Sequence, residues 1–205
     1  IELKGRIPAG QQCSTGRALG RLSDIGWGNR LRPLLAENAA DGPVPDDVLK
    51  AAVAVLADWA RSPGGWASNV PDASARPVGV VAMPSLTRPQ LVASLAQGIA
   101  AIGRLPFLGT LTYTGSASGH TARRSNSAQR LKALSGALTV SEGLAGALRD
   151  SPGPVLLVDD YTDSGWTLAV AARLLRQSGG EQVLPLVLAA AGGAASVAVV
   201  GAGMP

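Results

Sequence analysis

From residue 77 onward, continuous apolar runs alternate with apolar residues spaced three or four apart. Continuous runs of this length predict buried strands, and the spaced sets predict helices with one apolar face. The runs lie at 78–83, 107–113, 155–158 and 183–188. The spaced sets are Leu91, Leu95, Ile99 and Ile102; Ala128, Leu131, Leu134 and Leu138; and the stretch 168–177. Such alternation predicts an α/β fold, with a parallel twisted sheet and helices on both of its faces.

The chain before residue 77 has a different character. Residues 1–45 are rich in Gly, Pro and Arg and have no sustained period, whereas Val48, Ala52, Val55 and Trp59 predict one helix. We therefore expect 1–60 to be a Gly/Arg-rich linker or accessory segment with one helix, 61–190 to be the α/β domain, and 191–205 to be a flexible tail. Before residue 35 the basic residues outnumber Glu2 and Asp24; they are Lys4, Arg6, Arg17, Arg21, Arg30 and Arg32. This excess leaves two interpretations open: a linker or shell packed on the domain, or a surface that faces nucleic acid or the missing part of the protein.

Composition limits the classes of protein to which this chain can belong. Hydrophobic residues make up 46% of the 205 residues, ample for a core, but aromatics make up only 3%. The net charge of +4 is too small to predict nucleic-acid binding by itself. Cys13 and His120 are the only residues of their types, which excludes an internal disulfide and clusters of His or Cys around a metal. We expect a cytoplasmic protein without signal peptide or membrane span, and, since the chain starts at Ile1, a piece of a longer one.

The most informative segment is 155–167, where an apolar run leads into two carboxylates, a short turn and a helix. The N–H groups at the start of a helix are unpaired and lie at the positive end of its dipole, so this turn predicts a phosphate site. Carboxylates repel phosphate, so Asp159 and Asp160 should face a neutral hydroxylated part of the same ligand, or a metal that bridges to it. A ligand with a phosphate and vicinal hydroxyls is a ribose 5-phosphate.

This segment resembles the phosphoribosyl-pyrophosphate (PRPP) motif of type I phosphoribosyltransferases. The resemblance implies that Asp159 and Asp160 bind the ribose hydroxyls, directly or through Mg²⁺ as cofactor. It implies a 5′-phosphate site formed by Ser164, Gly165, Trp166 and Thr167. Asp163 matches the acid/base residue of the hypoxanthine-guanine branch. The lysine with which that branch reads its purine is missing from 183–188, so the resemblance does not extend to purine recognition.

Two further loops are candidates for the same site. Ser85, Leu86, Thr87 and Arg88 follow the first predicted strand, and Thr87 with Gln90 has the form of a capping box at the next helix. That loop could hold a second anionic group, and the resemblance implies pyrophosphate. The other loop resembles the closing loop of ComF-like phosphoribosyltransferases, and its candidate residues are Arg123, Arg124, Ser127, Gln129 and Arg130. Its positive charges suit pyrophosphate and a nucleic-acid backbone equally well.

Several strings along the chain resemble the C-terminal region of actinobacterial RecQ-type DNA helicases, which carry a phosphoribosyltransferase-like domain. They are Gly5 to Gly10, Gly16 to Leu22, Gly26 to Gly28, Ser125 to Arg130 and Asp159 to Thr167. The resemblance implies a helicase core in the same parent protein, but no helicase chemistry lies here because the chain has no P-loop motif. Three functions stay open: a site for PRPP or a related nucleotide with Mg²⁺, an accessory module for single-stranded DNA, and a structural role in helicase assembly.

Overall fold

A computed structural model describes residues 14–62, 76–114, 138–163 and 165–191, together with the backbone of 197–199. The described strands are β1 (Gly16–Arg21), β2 (Gly79–Ala82), β3 (Phe107–Thr110), β4 (Thr112–Tyr113), β5 (Leu138–Thr139), β6 (Pro154–Thr162), β7 (Gln182–Ala190) and β8 (Val197–Val199). The described helices are α1 (Trp27–Leu34), α2 (Asp46–Arg61), α3 (Pro89–Gly103), α4 (Glu142–Asp150) and α5 (Trp166–Gln177). Among these helices none is long and apolar enough to cross a membrane.

Six strands form one sheet in the order β3-β2-β6-β7-β1-β8, and every neighbouring pair in it is parallel. Helices cover both faces. One core joins α1, α2 and α3 to sheet residues such as Leu156 and Leu186, and the other joins α4 and α5 to residues such as Leu157 and Val187. The predicted parallel sheet with helices on both faces is confirmed. Because all its strands run the same way, their carboxyl ends meet at one edge, where ligands of open α/β sheets bind.

The N-terminal segment differs from the expected linker with one helix. From residue 14 to 61 it contributes one strand and two helices, and β1 lies inside the sheet between β7 and β8. The strand was missed because glycine at both Gly16 and Gly20 breaks its apolar pattern. Both positions are crowded: a Cβ on Gly16 would lie 2.8 Å from the Pro185 carbonyl oxygen, and one on Gly20 would lie 2.9 Å from Cβ of Trp27. These glycines allow close approach of neighbouring elements.

Three other expectations need correction. The predicted strand at 107–113 is two strands, because β4 leaves the main sheet and pairs antiparallel with β5. Leu138, expected on a helix with Ala128, Leu131 and Leu134, belongs to β5, and the other three lie outside the described residues. Residues 197–199, expected in a flexible tail, form β8 and pair with β1.

Helix α4 was not predicted, although its signals are present in the sequence. Ser141 accepts a hydrogen bond from the backbone N–H of Leu144, which is the bond that an N-cap residue makes. Leu144 and Leu148 then repeat at a spacing of four and are buried in the second core.

Candidate functional site

Asp159 and Asp160 lie where the carboxyl ends of the strands meet, because β6 extends beyond its neighbour β2. The last pair between them is Ala82 with Val158, after which β6 continues to Thr162 beside β7 alone. Asp159 and Asp160 are therefore still part of the strand, on the stretch that faces the loop after β2. Both are buried, with 9% and 7% of their surface exposed.

Asp160 forms an ion pair with Arg88, which comes from that loop. The Nε of Arg88 lies 2.6 Å from Oδ2 of Asp160, and the two side chains are only 14% and 10% exposed. Arg88 also donates from Nη1 to the backbone oxygen of Ala36 at 3.5 Å, and its own backbone N–H donates to Oγ of Ser85 at 3.0 Å. The ion pair thus ties the loop after β2 to the end of β6.

Asp159 has a different environment from its neighbour. Its Oδ1 accepts a hydrogen bond from the backbone N–H of Asp160 at 2.9 Å. Burial, and next the negative charge of Asp160, raise the pKa of Asp159 well above its ordinary value. Burial also raises the pKa of Tyr113 on β4, with a smaller contribution from the charges of Asp159 and Asp160, so this tyrosine belongs to the same electrostatic neighbourhood. The acid pair therefore has one member paired to an arginine and one whose pKa is raised by burial and by its neighbour's charge.

The turn after β6 leads into helix α5 through a left-handed glycine. Gly165 has φ 77° and ψ −2°, and it is the residue before the first turn of α5. A residue with a Cβ is strained in this conformation, which explains the glycine. The N-cap residue of α5 is Gly165, which has no side chain to cap the helix, and no other side chain of the described residues accepts a hydrogen bond from its first turn. The N–H groups of the first turn are therefore left for a ligand or solvent.

A cavity of about 390 Å³ joins these features. Its wall comprises Met83, Pro84, Ser85, Leu86, Thr87, Tyr113, Asp159, Asp160, Tyr161, Thr162, Asp163, Gly165, Trp166 and Thr167. Three of the chain's seven aromatic side chains are in this wall, including both tyrosines. The acid pair and the start of α5 therefore open into one space, which is of the size usual for small-molecule sites.

Arg88 is not part of this wall, although Ser85, Leu86 and Thr87 of the same loop are. The loop also does not form the expected capping box with Thr87 and Gln90. The N–H groups of Gln90 and Leu91 instead donate to the carboxylate of Asp41, at 2.8 and 3.1 Å. Asp41 supplies the negative charge that the start of a helix favours, so a side chain of the protein already fills the anion position at α3.

The remaining predicted residues divide into two groups. Asp163 is exposed and Thr167 half-buried at the cavity, and Trp166 packs against the second core while it lines the cavity. Ser164 and the closing-loop residues Arg123, Arg124, Ser127, Gln129 and Arg130 lie outside the described residues. Sequence reasoning missed Tyr113 and Asp41. The only hint of Tyr113 in the sequence is that aromatic residues are scarce. Nothing in the sequence indicates the role of Asp41, because its hydrogen-bond partners are 49 and 50 residues away.

The described residues do not form a complete protein site for Mg²⁺; Asp159 and Asp160 would be its ligands together with phosphate and water. The cation needs ionised carboxylate oxygens. Oδ2 of Asp160 is already held by Arg88, which leaves Asp159 as the carboxyl group without a cationic partner among the described residues. In the part of the chain that the structure describes, no group of three or more His, Cys, Asp or Glu residues could hold a metal ion.

Three of the N-terminal arginines expected on a possible nucleic-acid surface are engaged within the protein. Arg17 lies over the ring of Trp59, 4.8 Å from its centroid. Arg30 forms a bidentate pair with Asp47, at 2.8 and 3.0 Å. Arg32 donates to the backbone oxygen of Leu22 at 2.6 Å and to the side chain of Asn29. All these partners lie within the same N-terminal segment, so the three arginines stabilise it internally, while β1 attaches it to the sheet by pairing with β7.

No protein-family model and no curated protein matches the chain. Among solved structures, the fold is similar to a purine phosphoribosyltransferase from Pyrococcus horikoshii Ot3, at 14% identity and a TM-score of 0.42, over 80% of this chain and 96% of that one. It is also similar to an orotate phosphoribosyltransferase from Aeropyrum pernix, at 20% identity and a TM-score of 0.41, over 76% of this chain and 70% of that one.

Proposed function

We propose that this protein binds a phosphorylated ribose, either PRPP or a related nucleotide or sugar phosphate. The observation that carries the proposal is that the acid pair and the uncapped start of α5 open into the same cavity. The backbone of Gly165, Trp166 and Thr167, with Ser164 beside it, holds the 5′-phosphate. The carboxyl groups of Asp159 and Asp160 meet the ribose hydroxyls.

The charges of the site support a ligand with both a phosphate and neutral hydroxyls. The start of α5 attracts an anion. At the other end of the cavity, the ion pair with Arg88 cancels the charge of Asp160, so the phosphate is not repelled by two free carboxylates. A buried carboxyl group needs hydrogen-bond partners, and sugar hydroxyls both donate and accept.

Transfer of the ribosyl group to an acceptor is a finer part of the proposal. Asp163 is its candidate acid/base residue, because it is exposed and lies between the acid pair and the phosphate turn. Tyr161 lies close enough for the negative charge of Asp163 to help raise its pKa, after the larger effect of burial. A general acid or base must be reachable by the acceptor, and Asp163 meets that condition.

Calorimetric titration with ribose 5-phosphate, 2-deoxyribose 5-phosphate and PRPP tests the binding proposal. We expect ribose 5-phosphate to bind, and the double variant Asp159→Asn with Asp160→Asn to lose roughly tenfold or more in affinity, since a charge-assisted hydrogen bond contributes about 1.5–3 kcal/mol. The matched control is Asp150→Asn, an exposed acid at the end of α4. Absence of binding by the parent protein, or equal affinity in the double variant, would refute the proposal.

The accessory role in a RecQ-type helicase is also a proposal, supported by the sequence strings alone. Two of those strings form β1 and the start of α1, where the glycines have packing roles. A Cβ on Gly28 would lie 2.5 Å from the backbone oxygen of Arg21. Titration with a single-stranded oligonucleotide at two salt concentrations tests this alternative, because phosphate contacts give a steep salt dependence.

A further inference from the structure

Arg88 is paired with a carboxylate of the site but is not among the described residues that line the cavity. The cavity wall contains Asp160 and the loop residues Ser85, Leu86 and Thr87, but not Arg88. Its guanidinium lies between Oδ2 of Asp160, at 2.6 Å, and the backbone oxygen of Ala36, at 3.5 Å. These two contacts use the Nε–H and one N–H of Nη1, so they fix the guanidinium between Asp160 and Ala36.

Two other groups near this loop also form bonds within the protein. Oγ of Ser85 accepts from the N–H of Arg88, and Asp41 takes the N–H groups of Gln90 and Leu91 at the start of α3. The start of α3 is thus already matched by the carboxylate of Asp41, a contact that does not involve the Arg88–Asp160 ion pair.

Without Arg88, two adjacent and mostly buried carboxyl groups would face the ligand. The negative charge of Asp160 would then be unpaired, and it would oppose both ionisation of Asp159 and a phosphate in the same cavity. With Arg88 in place, the pair Arg88–Asp160 is neutral and the orientation of Asp160 is fixed. Asp159 remains as the carboxyl group that is not paired to a cation in the described residues.

We propose that Arg88 is a positioning residue, which serves the sugar-phosphate site by holding and neutralising Asp160 and leaves Asp159 as the carboxyl group that reads the ribose hydroxyls. The inference rests on the proposed function and deepens it, because it divides the acid pair into two roles. In this proposal Arg88 acts on the ligand through Asp160 and does not contact an anion directly.

A charge-rescue experiment distinguishes the two actions of Arg88. Arg88→Gln leaves Asp160 as an unpaired negative charge, so we expect the affinity for ribose 5-phosphate to fall about tenfold or more. Adding Asp160→Asn restores the balance of charge, and the double variant should bind about tenfold more tightly than Arg88→Gln alone. If Arg88 gripped the phosphate itself, the double variant would bind as weakly as the single one.

The same titrations with PRPP and with the two single acid variants complete the test. Asp159→Asn should lose at least about threefold more affinity than Asp160→Asn, and this comparison holds even if Arg88→Gln does not fold. Circular dichroism of each variant verifies the fold. Failure of the rescue, or a loss in Asp160→Asn that equals that in Asp159→Asn, overturns the division of roles while the proposed function stands. If the parent protein binds neither ribose 5-phosphate nor PRPP, the proposed function itself falls.

Discussion

The backbone conformation of Gly165, in the turn before α5, can be tested through the stability of the fold. Its φ of 77° is in the left-handed region, where a residue with a Cβ is strained by about 1–2 kcal/mol. Replacement by Ala also restricts the unfolded chain, which favours folding by about 0.4–1 kcal/mol. The difference predicts that Gly165→Ala lowers the free energy of unfolding by about 1 kcal/mol.

The matched control is Gly146→Ala, which makes the same chemical change inside helix α4. A Cβ there meets nothing within 4 Å and the backbone φ is negative, so helix propensity should stabilise this variant by up to about 1 kcal/mol. The two variants should therefore melt about 4–8 °C apart in a protein of this size, with Gly165→Ala the lower. Differential scanning calorimetry measures the gap. If Gly165→Ala melts at or above the temperature of Gly146→Ala, the assigned conformation of the turn is wrong.

Three further variants test the electrostatics and the core. Asp159→Asn should stabilise the free protein near neutral pH. The raised pKa of Asp159 means that the folded state still holds a proton that the unfolded state loses above about pH 3.9, so the stability of the parent protein falls as pH rises from there towards the folded-state pKa. Urea titrations from about pH 4 to 8 should show this fall in the parent protein and not in the variant. Leu157→Ala, at a fully buried sheet position, should cost about 2–5 kcal/mol with an unchanged denaturant slope, and a smaller loss would contradict the packing of the second core. Arg30→Gln breaks an exposed ion pair and should change stability by less than about 1 kcal/mol, an effect that high salt should remove.

The parts of the fold that follow from sequence are those with strong local patterns. Continuous apolar runs gave β2, β6 and β7 within a few residues of their bounds, because strands buried on both faces have few polar positions. Spaced apolar residues similarly indicated α2 and α3. The position of the acid pair also followed from local order, since a strand, two acids, a glycine turn and a helix are contiguous.

The features that sequence could not predict depend on distant partners. Strand β1 has two glycines among six residues, and it is a strand only because β7 and β8 flank it. Asp41 caps a helix that starts 48 residues later. The pairing of Arg88 with Asp160 spans 72 residues, and nothing near either residue signals it. Such contacts are decided by how the elements pack, so a pattern within one window does not contain them.

The position of β1 has a consequence for how the protein is made. Its hydrogen-bonding partners, β7 and β8, are the last strands of the described chain. As synthesis proceeds from the N-terminus, β1 emerges first but has no edge to join until those strands have left the ribosome. Pairing across this sequence distance is slow, and until it occurs β7 presents an unpaired edge that other chains can join. We therefore expect variants that weaken β1 to reduce the yield of soluble protein in cells more than they reduce the stability of the purified fold.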